Sequence, residues 1–204
     1  MKLIPIFPRH LGIKQFIDIP ENILGGWKTY IESQPKVNLH HNPQNENDFL
    51  TENNQLLEDP IFSKLKNEIL NYSKNYVNST GFEVEDVQIS SSWSYITTLN
   101  NVSNNFHFHC NSLISGVFYL TEGAPLTFKT DLHTNAAFKT SVSNPIQHPH
   151  TYFNINPQPG LLVLFPSHLE HGVLSNHEDI KRISIAFNII PKGEFGFSHQ
   201  KLYL

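Results

Sequence analysis

The sequence predicts a mainly β fold, a β-sandwich or barrel of jelly-roll type with N-terminal helices packed on its outside. Helical periodicity is confined to residues 1–80, and short apolar runs separated by turn residues follow from Val84 onward. A chain of 204 residues is long enough for one large domain with a substantial core. We therefore expect a single domain with a helical N-terminal part (1–80), a β core (84–190) and a C-terminal tail (191–204).

The N-terminal part begins with a short apolar run and a first helix. Leu3–Phe7 has the length and composition of a short strand. Pro20 and Glu21 start a segment whose apolar residues recur at helical spacing, so a helix is expected from there to about Glu32.

A polar, asparagine-rich segment and a second helix complete this part. Residues 33–58 lack a consistent period and are predicted to form a long loop. Asp59 then offers an N-cap before Pro60 at the first helical position. The helix is expected to continue to about Asn78, because Gly81 follows as a stop signal.

Short β runs dominate the rest of the chain. Several alternate apolar and polar residues, as strands with one buried face do. The candidate strands are 86–98, 105–109, 113–120, 125–129, 151–155, 161–165 and 182–190. Residues 123–125 and 157–160 are turn sequences, and residues 131–149 are expected to form a loop over the sheet.

Charge and composition argue against several classes of protein. The net charge is −4 and no block of Lys or Arg stands out, so we expect no nucleic-acid partner and no membrane surface held by electrostatics. No stretch approaches the ~20 apolar residues of a membrane span, and Pro5 and Pro8 interrupt a poor signal-peptide candidate. The single cysteine, Cys110, cannot form an internal disulfide, which favours a reducing, cytoplasmic location.

Three histidines form a candidate metal site. In a strand, residues i and i+2 face the same side, so His107 and His109 are expected to project together while Phe108 anchors the strand in the core. His171 follows the buried strand 161–165 and is expected just past its end, on a loop. Neutral imidazole is a common ligand of Fe, Zn and Cu, and three imidazoles leave coordination positions open. The pattern indicates a mononuclear metal enzyme.

The chain contains twelve histidines, so one H-x-H pair alone is weak evidence. His148 and His150 form a second such pair, but Pro149 interrupts it within a predicted loop. His40 and His41 are adjacent and would point apart in an extended chain. His168, three residues before His171, remains a possible competing ligand.

Arg182 opens the last apolar strand, and Ser184 shares its face. A guanidinium fork beside a hydroxyl suits a carboxylate that accepts two hydrogen bonds. The alternative is an edge-strand Arg in a surface salt bridge. The position of Arg182, eleven residues after His171, favours the first interpretation.

These motifs together resemble the 2-oxoglutarate- and Fe(II)-dependent oxygenase superfamily, and more narrowly a prolyl-hydroxylase-related group of mostly uncharacterised microbial and phage oxygenases. The resembling blocks are Trp93–Asn100, His107–Leu120, Pro159–His171 and Arg182–Asn188. Each block alone is weak, but the blocks in this order are specific. The resemblance implies a double-stranded β-helix (jelly roll) with Fe(II) in its mouth.

The resemblance also assigns the site residues. The metal positions fall on His107, His109 and His171, with no catalytic residue beyond these ligands. The position that binds the distal carboxylate of 2-oxoglutarate falls on Arg182, with Ser184 beside it. A hydroxyl contact to the same acid is implied for one of two tyrosines, Tyr119 or Tyr95.

One departure concerns charge. Most of the superfamily uses two histidines and a carboxylate, whereas the second position here is His109, the H-x-H form expected of the narrower group. Three neutral ligands leave the iron site one unit more positive, which dianionic 2-oxoglutarate could offset. The implied activity is hydroxylation of an unidentified substrate, a small molecule or a peptide, with succinate and CO₂ as co-products.

Two other functions stay open at this point. A cupin-like 3-His dioxygenase or isomerase would use the H-x-H pair without an oxoacid. However, this chain lacks the Glu that usually follows that pair in cupins, and such an enzyme would give Arg182 no role. A non-catalytic β-sandwich binding module would need no metal. The sequence does not decide the oligomeric state.

Overall fold

The computed structural model describes residues 9–38, 48–82, 84–98, 104–129, 152–173, 180–195 and 198–204. The two α-helices are α1 (Glu21–Ser33) and α2 (Ser63–Ser79). Short 3-10 turns span Leu56–Glu58, Pro60–Phe62 and Ser198–Gln200. The strands are β1 (Gly12–Gln15), β2 (Lys36–Asn38), β3 (Asp48–Thr51), β4 (Asp86–Thr97), β5 (Asn104–His107), β6 (Ile114–Tyr119), β7 (Leu126–Lys129), β8 (Tyr152–Ile155), β9 (Leu161–Pro166), β10 (His171–Val173), β11 (Arg182–Lys192), β12 (Glu194–Phe195) and β13 (Leu202–Tyr203).

Two antiparallel sheets build the core. The major sheet has seven strands in the order β1-β9-β6-β11-β4-β3-β2, and the minor sheet has four in the order β5-β10-β7-β8. Strands that are distant in the chain alternate in both sheets, as a jelly roll requires. The predicted mainly β, jelly-roll fold is confirmed, and β12 pairs with β13 in a separate ribbon within the expected tail.

The major sheet buries both of its faces, and side-chain alternation along β11 shows how. Ile183, Ile185 and Phe187 pack into the core under the helices. Arg182 and Ser184 alternate with them and therefore face the space between the two sheets. The polar face of this strand lines the site described below.

The two helices pack on the outer face of the major sheet, as predicted. Leu24 and Trp27 of α1 and Leu65 and Ile69 of α2 are buried in one core cluster with Phe118 of β6. Helical spacing places these residues on one stripe of each helix. Within the described residues, no helix combines the length and the apolar character needed to cross a membrane.

The N-terminal part differs from its prediction in one respect, because it also supplies strands to the major sheet. Asp48–Thr51, inside the predicted loop 33–58, pairs with β4. That strand buries the polar residues Asp48 and Thr51, so hydrophobic periodicity could not reveal it. The predicted strand Leu3–Phe7 and the predicted loop 131–149 lie outside the described residues.

The start of the second helix also differs in detail. Asp59 precedes a 3-10 turn with Pro60 at its first position, and α2 proper begins at Ser63. The Asp59 side chain makes no capping hydrogen bond with this turn. Instead, its carboxylate accepts a hydrogen bond from the Asn53 side chain at 3.2 Å.

Candidate metal and cosubstrate site

His107, His109 and His171 converge at one end of the space between the sheets. Each offers a ligand atom, and these atoms lie within 4.8 Å of one another. The ring centroids are 5.2 Å apart for His107 and His109, 4.6 Å for His107 and His171, and 5.0 Å for His109 and His171. Because metal–imidazole bonds are ~2 Å long, one ion is within reach of all three rings. We call these residues the three-histidine group.

Strand pairing explains how the distant third histidine arrives. β10 pairs with β5 in the minor sheet, and His171 lies directly opposite His107. His171 is therefore the first residue of a strand rather than part of a loop after β9. The prediction of a loop was wrong, because a strand of three residues is too short to show a period.

The second histidine does not lie on the strand of the first. β5 ends at His107, and the backbone N–H of His109 donates instead to the carbonyl oxygen of Ser167 at 2.9 Å. The chain then turns at Asn111, which has a φ of 55°. Phe108 is 60% exposed, so the expectation that it anchors the strand in the core was wrong.

Hydrogen bonds orient the rings of His171 and His109. The Nδ1–H of His171 donates to the carbonyl oxygen of Leu169 at 2.8 Å. Nδ1 of His109 lies 2.6 Å from the side-chain oxygen of Asn188. Since a carbonyl oxygen only accepts, each contact puts the ring hydrogen on Nδ1 and leaves Nε2 with its lone pair.

Burial keeps these rings neutral. It lowers the pKa of His171 to about 3, an effect that the hydrogen bond to Leu169 partly opposes and the neighbouring histidines reinforce. Burial likewise lowers the pKa of His109, against the hydrogen bond that its ring donates to Asn188. A metal ion needs the neutral form of imidazole, so both rings are ready to bind one near neutral pH.

Arg182 lies deep in the same space. It is 1% exposed, its Nε donates to the carbonyl oxygen of Ala124 and its Nη1 donates to the hydroxyl of Ser184, both at 3.1 Å. No carboxylate of the described part of the chain forms a salt bridge with it. The alternative interpretation, a surface Arg on an edge strand, is wrong, because β11 is a central strand and Arg182 is buried.

Two tyrosine rings flank the guanidinium. Its central carbon lies 5.6 Å from the ring centroid of Tyr95 and 5.2 Å from that of Tyr119. Burial raises the pKa of Tyr95, and the carboxylate of Asp48, which hydrogen-bonds with it, adds to the rise against the charge of Arg182.

The Tyr119 hydroxyl has an unusual environment. The residue is fully buried, and its oxygen makes no well-formed hydrogen bond with any residue of the described chain. Burial raises the pKa of Tyr119, while nearby Arg182 lowers it. A buried hydroxyl without a partner is costly, so this one suits a polar ligand that reaches Arg182.

The three-histidine group and Arg182 open into one cavity of about 390 Å³. Apolar and aromatic side chains form most of its wall, among them Trp93, whose ring stacks on His109 with 5.8 Å between centroids. Among the described lining residues, Arg182 carries the one permanent charge. The cavity can therefore hold a metal ion at one end and direct an anion towards the guanidinium.

The other histidines of the described residues do not join the site. His168, the possible competing ligand, is exposed and lies outside the group of potential metal ligands among the described residues. His40, His41, His148 and His150 lie outside the described residues.

The sequence did not reveal the polar partners of the site residues. These partners are Asn188, the carbonyl groups of Leu169 and Ala124, and Asp48. Asn188 was the only one of these partners that the sequence could have indicated. It ends the block Arg182–Asn188, and strand alternation places it on the same face as Arg182 and Ser184.

Comparison with known proteins also points to an oxygenase site at these residues. The sequence profile of the family described as "Putative 2OG-Fe(II) oxygenase" matches residues 91–188, which include the three-histidine group and Arg182. No curated protein shows significant sequence similarity to the chain.

Solved structures show the fold. HygX from Streptomyces hygroscopicus, solved with nickel and 2-oxoglutarate bound, is 12% identical with a TM-score of 0.59, over 90% of this chain and 83% of that chain. A Pseudomonas putida prolyl-4-hydroxylase is 12% identical with a TM-score of 0.61, over 91% and 94%. The non-heme alpha ketoglutarate dependent carbocyclase SnoK from nogalamycin biosynthesis is 10% identical with a TM-score of 0.66, over 91% of this chain and 81% of that chain.

The fold and the site are those expected of a non-haem metal oxygenase of the jelly-roll class. The family match over residues 91–188 supports the 2-oxoglutarate- and Fe(II)-dependent oxygenase superfamily that the motifs indicated. Together they indicate an Fe(II)-dependent dioxygenase with 2-oxoglutarate as cosubstrate.

Proposed function

We propose that the protein hydroxylates a small molecule or a peptide side chain, with Fe(II) held by His107, His109 and His171 and 2-oxoglutarate held by Arg182. The observation that carries this proposal is the shared cavity, which has three imidazoles at one end and a buried guanidinium without a salt bridge in the described chain. We propose that residues 1–204 form one oxygenase domain. The lone Cys110, which is exposed and free, supports a cytoplasmic location.

The donor set fits Fe(II). Imidazole nitrogens suit iron, and the hydrogen bonds from His109 and His171 leave Nε2 of both rings available. His107, His109 and His171 would hold the ion and would leave it positions for the oxoacid and O₂. When bound, the iron supplies the oxidising chemistry, with succinate and CO₂ formed from 2-oxoglutarate.

The surroundings of Arg182 fit a carboxylate. A buried cation is unfavourable unless an anion complements it. The guanidinium offers a planar fork that matches a carboxylate, and the hydroxyls of Ser184 and Tyr119 lie beside it. These residues would bind the distal carboxylate and so fix the orientation of 2-oxoglutarate relative to the three-histidine group. Tyr95 supports the guanidinium from its other side.

Residues around the cavity would exclude water from the reacting atoms. Leu126, Phe165 and Val173 line it with apolar surface, and each is buried. This wall keeps the local dielectric low, which strengthens the contact between Arg182 and its carboxylate.

The substrate class rests on weaker support. HygX has been solved with nickel, 2-oxoglutarate and hygromycin B bound, and another structure with this fold is a prolyl-4-hydroxylase. These proteins share the fold at low identity, so they favour a small molecule or a prolyl peptide without choosing between them. A cupin-like enzyme that uses no oxoacid and a non-catalytic binding module are both disfavoured, because neither gives the buried Arg182 a role.

The test measures succinate formed from 2-oxoglutarate in the presence of Fe(II) and O₂. Wild type is expected to form succinate above background, and His171→Ala is expected to fall to background. His168→Ala is the matched control, since that histidine is exposed and three residues away. Equal succinate formation by wild type and His171→Ala would refute the proposal.

A binding measurement separates this function from a 3-His enzyme without an oxoacid. Calorimetry under nitrogen, with Fe(II) present, is expected to show 2-oxoglutarate binding to wild type and its loss in Arg182→Ala. Metal bound without any response to 2-oxoglutarate would favour the cupin-like alternative.

A further inference from the structure

Asn188 contacts the ring of His109 at Nδ1. Its side-chain oxygen is 2.6 Å from Nδ1 of His109 and accepts a second hydrogen bond from the hydroxyl of Ser115 at 2.8 Å. Its side-chain nitrogen donates to the hydroxyl of Ser91 at 3.0 Å. All the polar atoms of this amide therefore have defined partners.

The amide oxygen faces Nδ1 of His109 and the Ser115 hydroxyl, and the amide nitrogen faces the Ser91 hydroxyl. Since each hydroxyl can donate or accept, the contact with His109 is the one that depends on which way the amide points. A flipped amide would donate to Nδ1 of His109. The ring hydrogen would then lie on Nε2, where it would block a metal ion.

A hydroxyl network supports the amide from behind. Ser115 is 1% exposed and its hydroxyl lies 2.9 Å from that of Ser167, which is also 1% exposed. Ser167 contacts the hydroxyl of Ser112 at 2.8 Å, and its carbonyl oxygen accepts the backbone N–H of His109. The network thus holds both the backbone and the ring of His109.

The contact between Asn188 and His109 matters because this chain has a histidine where most of the superfamily has a carboxylate ligand. A carboxylate at the second ligand position can bind a metal through either oxygen and has no tautomers. An imidazole has two tautomers, and in each only one ring nitrogen carries the lone pair that binds a metal. A histidine at this position therefore needs a partner that selects one tautomer.

We propose that Asn188 is a positioning residue that holds His109 in its metal-binding tautomer, and so allows an imidazole to replace the carboxylate. This inference rests on the proposed function, because it assigns His109 to the metal. Partners of this kind are general at metal sites, and their loss typically weakens metal affinity or activity by roughly 10- to 100-fold.

The test uses the full chain and three variants. Asn188→Leu removes the acceptor and keeps the branching at Cγ, Asn188→Asp keeps the acceptor, and Ser91→Ala is the control that loses only the contact at the amide nitrogen. Nitrogen-15 NMR of the histidine rings, recorded before metal is added, reports which nitrogen of His109 carries the hydrogen. Titration with Co(II) then measures metal affinity.

Wild type, Ser91→Ala and Asn188→Asp are expected to carry the hydrogen on Nδ1 of His109, whereas Asn188→Leu is expected to shift it to Nε2. Asn188→Leu should bind Co(II) about 10-fold more weakly than wild type, and Asn188→Asp at least as tightly as wild type. A contact that only packs would leave the tautomer unchanged and would not be rescued by Asp.

The inference is overturned if wild type already carries the hydrogen on Nε2, and this outcome needs no variant to fold. It is also overturned if Asn188→Leu keeps the tautomer and the Co(II) affinity of wild type, or if Asn188→Asp is as weak as Asn188→Leu. Failure of the proposed function would look different, because wild type would then form no succinate from 2-oxoglutarate, whichever nitrogen of His109 carries the hydrogen.

Discussion

Nε of Arg182 donates a hydrogen bond to the carbonyl oxygen of Ala124 at 3.1 Å, so the turn between β6 and β7 supports the guanidinium. The neighbouring Gly123 approaches the same side chain. A Cβ built on this glycine would lie 2.8 Å from Cβ of Arg182 and 3.3 Å from its Cγ. The turn residues Gly123-Ala124-Pro125 thus do more than reverse the chain, because they also position Arg182.

Gly123→Ala is expected to weaken 2-oxoglutarate binding as well as stability. The φ of 133° at this position disfavours any residue with a Cβ, at a cost of about 1–3 kcal/mol. The added methyl would also displace Arg182 from its carboxylate position. Urea unfolding measures the first effect, and calorimetry with 2-oxoglutarate measures the second.

Gly81→Ala separates the two effects. Gly81 also has a positive φ, of 91°, but a Cβ there would have no atom within 4 Å. We expect this variant to lose stability and to keep the affinity of wild type for 2-oxoglutarate. Unchanged affinity in Gly123→Ala would show that the turn does not position Arg182.

Arg182→Lys tests whether the planar fork is needed or only its charge. Lysine keeps the charge but cannot make both the hydrogen bond to Ala124 and the one to Ser184. Each hydrogen bond from a charged group is worth about 1.5–3 kcal/mol, so 2-oxoglutarate affinity should fall by at least about 10-fold. Calorimetry under nitrogen measures this loss.

Two controls accompany that substitution. Co(II) affinity without 2-oxoglutarate should stay within about 2-fold of wild type, because Arg182 does not contact the ligand atoms of the three-histidine group. Lys181→Ala removes the neighbouring exposed cation, which pairs with Glu32 at 2.6 Å, and should leave 2-oxoglutarate affinity unchanged. Full affinity in Arg182→Lys would mean that a point charge is sufficient.

The place of Arg182 could be predicted because it depends on a local rule. Strand residues alternate between faces, and the apolar residues Ile183, Ile185 and Phe187 show which face is the core. The opposite face then had to carry Arg182 and Ser184. The same alternation predicted most strands of the β core within a few residues of their observed bounds.

The local positions of His109 and His171 could not be predicted in the same way. His109 lies past the end of β5 and depends on a turn in which Asn111, a non-glycine residue, takes a positive φ. His171 belongs to a strand of three residues that forms only because β5 and β7 lie on either side of it. Asn188 contacts His109 across 79 residues of sequence, and no local pattern reports such a contact.

The metal-free protein is expected to lose stability as the pH falls below about 6.5, the pKa of an unfolded histidine. The pKa of His171 in the folded state is lowered to about 3, so the unfolded chain takes up the proton first. Stability therefore falls between pH 6.5 and about 3, by roughly 2 kcal/mol for this residue at pH 5. The lowered pKa of His109 acts in the same direction.

Urea unfolding at pH 7 and pH 5 measures this dependence. Because carboxylates also titrate, the comparison is between wild type and His171→Gln, and wild type should lose about 2 kcal/mol more than the variant. His168→Gln is the control at an exposed histidine, and it should behave like wild type. An equal loss in wild type and His171→Gln would contradict the burial of a neutral ring at this position.

Tyr119→Phe is expected to change stability and binding in opposite directions. The Tyr119 hydroxyl is buried and makes no well-formed hydrogen bond in the described chain, so its removal should be neutral or should stabilise the metal-free protein by about 1 kcal/mol. If the hydroxyl donates to the distal carboxylate of 2-oxoglutarate, the same change should weaken cosubstrate binding by about 10-fold. Thermal unfolding and calorimetry give the two values.

The diagnostic result is a change in stability and a change in 2-oxoglutarate affinity of opposite sign. If Tyr119 only packed, its substitution would lower both quantities or leave both unchanged. Tyr95→Phe is the matched comparison, since that ring flanks Arg182 from the other side but its hydroxyl hydrogen-bonds with Asp48. Its loss should destabilise the protein, because Asp48 is buried and would lose a partner. Reduced 2-oxoglutarate affinity in Tyr95→Phe, with full affinity in Tyr119→Phe, would assign the cosubstrate contact to Tyr95 instead.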